Sequence, residues 1–263
     1  MPSYKILFLD IDGTILRPDH TIEQSTIEAV SQVQEKGIEV FLATGRPLHE
    51  IREIGETLKI NSFIGYNGAY AVHKNNDILK EKIEGEMIQY FLKTAEENGH
   101  EAILYTNKKN VLTSLDSEIL TEFIEYFHLR HNVLYSSEFL HDILGVSLVN
   151  VGEKEQEKYE KWGGIHLSPV NVGGFKEHAY DVIRDKVNKG YAVEKVLQVL
   201  GISKEEAIAF GDGMNDKEML AYVGEGFAMG NAQQELFAYA KHKTTDVTDS
   251  GIFNGLKSLG LIK

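Results

Sequence analysis

Residues 5–16 read KILFLDIDGTIL, and the reading of this stretch decides the fold. Ile6, Leu7, Phe8 and Leu9 form an unbroken apolar run rich in strand formers, as in a parallel strand covered on both faces. Two aspartates, Asp10 and Asp12, follow at once with only Ile11 between them. A carboxylate among apolar residues is costly unless it is paired, hydrogen-bonded or bound to a metal. The stretch therefore predicts the first core strand of an α/β sheet, with chemistry at its carboxyl end. Asp-Gly is also a common turn, so the pair alone leaves a structural reading open.

Outward from this strand, helical and strand patterns alternate, which argues for α/β architecture. Ile27, Val30 and Val33 recur at helical spacing over residues 23–36, with Gly37 as the stop. The strand IEVFLA leads into Thr44-Gly45-Arg46, after which Pro47 is expected to open a helix. SFIG forms a third strand and ends at YNGAY, residues 66–70. From about residue 83 the texture changes to amphipathic helices, carried by Met87, Ile88, Phe91, Leu92 and Ala95 and then by Ile119, Leu120, Phe123, Ile124 and Phe127. The strand patterns EAILYT, LGVSLVNV, GIHLSP and HAYDVI lie among them, and a weakly patterned helix is expected over residues 153–161. Alternation resumes with Val193, Val196, Leu197 and Leu200 on a helix and EAIAF on a strand that ends at Gly211-Asp212. The expected organisation is a Rossmann-like parallel-sheet core, residues 1–82 and 185–263, with an α+β domain, residues 83–184, inserted into it.

Composition narrows the function. The 263 residues carry 27 Lys and Arg against 40 Asp and Glu, a formal charge of −13, which disfavours nucleic acid and anionic membranes as partners. There is no cysteine, so disulfides and thiolate metal sites are excluded. No segment has the roughly 18 apolar residues of a membrane span and no leader pattern is present, so a cytoplasmic protein is expected.

Three polar clusters fall at the carboxyl ends of expected strands: Asp10 with Asp12, Thr44, and GDGMND with Asp212 and Asp216. Ligands bind at that edge of open parallel sheets. Each cluster has a bland alternative. Thr44 could cap the next helix, Lys189 in DKVNKG could be a solvated lysine, and Asn67 could serve only its turn. Arg46 could be a leaving-group contact or a surface residue. The histidines show no metal-ligand spacing.

Together, DIDGT (residues 10–14), TGR (44–46), NKG (188–190) and GDGMND (211–216) resemble the four motifs of the haloacid dehalogenase superfamily of phosphatases. Their order, and the long insertion after the second motif, resemble the Cof-like branch with its type IIB α/β cap. The resemblance covers nearly the whole chain. It implies that Asp10 is a nucleophile forming an aspartyl-phosphate, with Asp12 as general acid and base. It also implies that Thr44, Gly45, Lys189 and Asn215 bind phosphate. Mg²⁺ would be held by Asp10, Asp212 and the backbone carbonyl of Asp12, with Asp216 behind them. An acidic residue at position 12 favours turnover by water over a lasting phosphoenzyme. The cap is expected to supply specificity, and Arg46, Asn67, Lys176 and His178 are possible substrate contacts. Asp181 stands where related sequences often carry a glutamate-like residue.

The expected activity is hydrolysis of a small phosphorylated metabolite, a sugar phosphate foremost, by a monomer or weak dimer. A non-catalytic phosphometabolite-binding module and a sugar phosphomutase are the alternatives.

Overall fold

The computed structural model describes residues 4–170, 173–175 and 177–263. The chain opens with β1 (Ile6–Leu9), α1 (Gln24–Glu35), β2 (Glu39–Ala43), α2 (Arg52–Leu58) and β3 (Ser62–Gly65). The hairpin strands β4 (Tyr70–His73) and β5 (Asn76–Lys80) follow, then α3 (Gly85–Asn98), β6 (Glu101–Tyr105) and β7 (Asn110–Leu112). Next come α4 (Glu118–Tyr126), β8 (Asn132–Leu134), β9 (Gly145–Val149), α5 (Glu157–Glu160), β10 (Ile165–Pro169) and β11 (Ala179–Arg184). The chain finishes with α6 (Lys189–Leu200), β12 (Ala207–Gly211), α7 (Lys217–Tyr222), β13 (Glu225–Ala228), β14 (His242–Lys243) and α8 (Gly251–Ser258).

These elements form two compact units. The first comprises Met1–Arg46, Ile51–Leu79 and Asn188–Lys263; the second comprises Pro47–Glu50 and Lys80–Val187. The first unit holds the sheet β14-β13-β12-β1-β2-β3-β4-β5. Its strands β14 to β3 run parallel and β4 turns back antiparallel on β3. β1 lies between β2 and β12, so the chain winds away from it in both directions. That is the topological switch point where open sheets bind ligands. All four β1 residues are buried, with Ile6 and Phe8 packed in one cluster with Val193, Val196 and Leu197 of α6. The fully apolar strand is what a position between two layers requires.

The second unit is built on a mixed sheet, β10-β11-β9-β6-β7-β8. Alternate residues of β6 enter different clusters. Ala102 and Leu104 pack with Phe91 of α3 and Tyr159 of α5, whereas Ile103 packs with Leu120 and Phe123 of α4. Period-two alternation thus gives the sheet an apolar layer on each face.

The expected helix at Pro47 is a single 3₁₀ turn, Leu48–Glu50, and the helix proper begins at Arg52. The Glu50 carboxylate accepts from the Arg130 backbone N–H at 2.8 Å and from Asn110 Nδ2 at 3.1 Å. His49 Nε2 lies 2.9 Å from Asn110 Oδ1. These bonds hold the turn by side-chain contacts that no local helix pattern encodes. The helix expected over residues 153–161 is a 3₁₀ turn, Glu153–Glu155, followed by the four-residue α5. Among the described residues no helix is long and apolar enough to cross a membrane.

Candidate active site

Four loops of the first unit leave the sheet at the carboxyl ends of β1, β2, β3 and β12, and each brings polar residues to one place. The β1 loop bends at Gly13, whose φ of 78° suits glycine. A Cβ there would lie 2.2 Å from Asp212 Oδ2. Gly13 thus lets the loops after β1 and β12 meet, although 198 residues separate the bonded pair Thr14 and Asp212.

The centre of the site is a buried triad. Lys189 Nζ donates to Asp10 Oδ1 and to Asp216 Oδ1, both at 2.6 Å. Lys189 and Asp216 are 0% exposed and Asp10 is 6% exposed. Lys189 opens α6, where the Asn188 side chain caps the helix by accepting from the Tyr191 N–H at 2.9 Å. Burial works against the charge on Lys189, but Asp10 and Asp216 outweigh it and hold the ammonium above the ordinary lysine range. The second oxygen of Asp216 accepts from the Asp212 and Gly213 N–H groups at 3.0 and 3.1 Å. Asp216 thereby shapes the GDGMND loop from within.

Asp10, Asp212 and Asp216 each offer a carboxylate oxygen within 4.8 Å of the others. This crowding of anions leaves its mark on titration. Burial, then the Asp216 charge, pushes Asp10 well above the carboxylate range against the pull of Lys189. The same two causes push Asp212 up to about 7. One lysine does not neutralise three carboxylates, and a hard oxygen donor set of this kind fits a divalent cation such as Mg²⁺.

Asp12 lies outside the triad. Both its oxygens are taken by Arg46, Nε to Oδ2 at 2.8 Å and Nη2 to Oδ1 at 2.5 Å, a fork-to-carboxylate pair. Thr44 is buried, and its Oγ1 accepts from the Arg46 N–H at 3.1 Å while keeping its own proton to donate. Gly45 is exposed, and a Cβ on it would lie 3.0 Å from Asn67 Oδ1. Asn67, in the left-handed region at φ 51°, accepts from Asn215 Nδ2 at 3.2 Å. Asp10, Asp12, Thr44, Gly45, Arg46, Asn67, Asp212, Asn215 and Asp216 thus all fall in the first unit after strands of one sheet, and Lys189 joins them from the first turn of α6.

His178 belongs to the second unit, exposed on the turn before β11, and lines a recess with Ile119, Glu122, Tyr126 and Phe175. Lys176 lies outside the described residues. Asp181, also in the second unit, accepts from Ser147 Oγ at 2.5 Å, and burial raises its pKa. Two residues of the first unit went unread in the sequence. Thr14 Oγ1 lies 3.4 Å from Asp212 Oδ1, and Asn231 Nδ2 donates to the Gly13 carbonyl at 2.8 Å. Thr14 sat inside a quoted motif; Asn231, in AMGNAQ, reads as an ordinary turn residue.

The chain is similar over nearly its whole length to known proteins. The family model described as haloacid dehalogenase-like hydrolase matches residues 7–256. YkrA of Bacillus subtilis (strain 168), whose name is that of a phosphatase, is 32% identical over 98% of this chain and 99% of its own length. The 5-amino-6-(5-phospho-D-ribitylamino)uracil phosphatase YcsE of the same organism is 29% identical over 96% of this chain and 92% of its own. Among solved structures, the HAD subclass IIB sugar phosphatase BT4131 superposes with a TM-score of 0.82. It is 27% identical and covers 98% of this chain and 100% of its own.

Proposed function

This chain belongs to the haloacid dehalogenase-like hydrolase family, a phosphoric monoester hydrolase among phosphatases, and from that premise we propose that it hydrolyses small phosphorylated metabolites, sugar phosphates foremost, through an aspartyl-phosphate. The observation that carries the proposal is the Asp10–Lys189–Asp216 triad, with Asp212 beside it, at the carboxyl ends of β1 and β12. The named relatives, a ribitylaminouracil phosphatase and a sugar phosphatase, support the substrate class of small phosphate esters.

A carboxylate of Asp10 attacks phosphorus, and the bond from phosphorus to the ester oxygen breaks as Asp12 delivers a proton to the departing alcohol. Water, losing a proton to Asp12, then attacks the same phosphorus. The phosphorus–Asp10 bond breaks, inorganic phosphate leaves, and both side chains return to their starting states. Lys189, the Thr44 hydroxyl, the Gly45 N–H and the Asn215 amide are the groups available to hold the phosphoryl oxygens. Asp12 takes part only after its fork with Arg46 opens. Asp10, Asp212 and the Asp12 carbonyl would hold Mg²⁺, which when bound offsets the repulsion between an anionic nucleophile and an anionic ester.

The test is free-phosphate release from a panel of phosphate esters, with Mg²⁺ and with chelator, for wild type and Asp10→Asn. Magnesium-dependent release that disappears in the variant is the expected result. Undiminished release by Asp10→Asn would rule out the nucleophile. No release by the wild type across the panel would favour a binding module instead.

A further inference from the structure

The loop after β13 carries a side chain that joins three parts of the site and takes no part in the roles assigned above. Asn231 Nδ2 donates to the Gly13 carbonyl at 2.8 Å and stands 3.5 Å from Asp212 Oδ2. Its Oδ1 accepts from the Val247 N–H at 2.9 Å, so both ends of the amide are fastened and its orientation is set.

The loop itself is anchored to the same scaffold. The Met229 N–H donates to the Gly211 carbonyl at 3.0 Å, the Gly230 N–H to Thr245 at 2.9 Å, and the Gln233 N–H to the Asp212 carbonyl at 3.0 Å. Gln233 Oε1 in turn accepts from the Met214 N–H at 3.1 Å. Gly230 has no room for a side chain, since a Cβ would lie 2.5 Å from the Asp246 nitrogen. Residues 229–233 are thereby pinned on both sides, which makes Asn231 a fixed strut.

Resting on the phosphatase reading and its cation, we propose that Asn231 is a positioning residue for the cation-binding carboxylates. It ties the Asp12–Gly13 turn to Asp212, so that donors from β1 and β12 stand in register before a cation arrives. Thr14 meets the other oxygen of Asp212 at 3.4 Å and the Asp10 side chain also bonds it, so Asn231 adds a third restraint, the one that comes from the loop after β13. Preorganised partners of this kind are worth about 10–100-fold in metal affinity. The exposed setting of Asn231 puts the expectation at the lower end, about tenfold.

The experiment is calorimetric titration of the full chain with Mg²⁺, without substrate, for wild type, Asn231→Ala and Asn231→Leu. Melting temperatures under chelator are read beside it. Both variants should bind Mg²⁺ about tenfold more weakly, with chelator melting temperatures within about 3 °C of wild type. The magnesium concentration for half-maximal phosphate release should rise by the same factor, with kcat recovered at saturation. An unchanged dissociation constant overturns the proposal, and a lower melting temperature with unchanged binding assigns Asn231 to the fold alone. Wild type that takes up no Mg²⁺ would overturn the cation reading and this inference together. Binding lost in the variants of a wild type inactive on every ester would leave the inference standing and the phosphatase reading fallen.

Discussion

Lys189 is the residue on which the charge balance of the site turns. Its ammonium is fully buried between two carboxylates, and removing one partner of such a group leaves uncompensated buried charge. Lys189→Met should lower unfolding free energy by about 3–5 kcal/mol and abolish turnover, as read by urea denaturation and phosphate release. Asp212 supplies a pH signature. With its folded pKa raised to about 7 from 3.8, the cation-free folded state keeps a proton that the unfolded chain gives up. Stability contributed by Asp212 is therefore full at low pH and declines as pH rises from about 4 to about 7. A cation competes with that proton, so Mg²⁺ affinity should climb through pH 7 and level off above it. Titrations at about pH 6, 7 and 8 read this directly, and a flat profile would separate Asp212 from the cation.

At the scale of elements, the turn after β3 governs the start of α6. Gly68 sits at φ 97°, and a Cβ there would lie 2.1 Å from the Asn188 carbonyl, one residue before Lys189. Gly68→Ala should therefore cost about 1–3 kcal/mol. It should also lower kcat/KM by about 100-fold through displacement of the lysine, with kinetics and thermal melting as the readouts. In the second unit the buried Asn110 amide bonds Glu50, Asn132 and the Arg130 carbonyl. Asn110→Leu leaves the Glu50 carboxylate short of a donor, and a loss of about 2–4 kcal/mol should appear in unfolding. Elements with a buried apolar run or a clear helical period were legible in the sequence: β1, β2 and α6 fall where Ile6–Leu9, Val40–Leu42 and Val193–Leu197 announce them, and α1 and α3 where Ile27, Val30 and Val33 and then Met87, Ile88 and Phe91 do. Strands β5, β7 and β8 were not legible. β5 reads NDILK and is mostly exposed, and the other two have three residues each, too short for any period to register.

For the whole molecule, the formal charge of −13 sets a repulsive field against any phosphate ester. Salt shortens the range of that field, to about 10 Å at 0.1 M. With an anionic ester, kcat/KM should rise as NaCl goes from about 10 to 100 mM while kcat stays nearly level. A falling kcat/KM would show that the local positive charge of Lys189 and Arg46 dominates the approach. Legibility divides along the same line between local pattern and long-range arrangement. Asp10, Asp212, Asp216 and Lys189 were readable because their motifs are short, ordered and chemically unusual. The Asp12–Arg46 fork and the Asn231 strut were not, because each depends on loops that meet only after folding, 34 and 218 residues apart in the bonded pairs.

The placement of β1 between β2 and β12 has a consequence for the order of manufacture. A ribosome delivers β1 early, but the strand that completes its other edge begins at Ala207. At about 5–20 residues per second, the stretch from Val187 to Ala207 occupies on the order of 1–4 s. Throughout that interval the helices and strands of residues 80–187 are already available to collapse, whereas β1 waits with an open edge. Asp10 likewise waits for Lys189. A chain halted before Lys189 carries the Asp10 carboxylate without its buried counter-ion, so the two groups meet only once the second unit has been made.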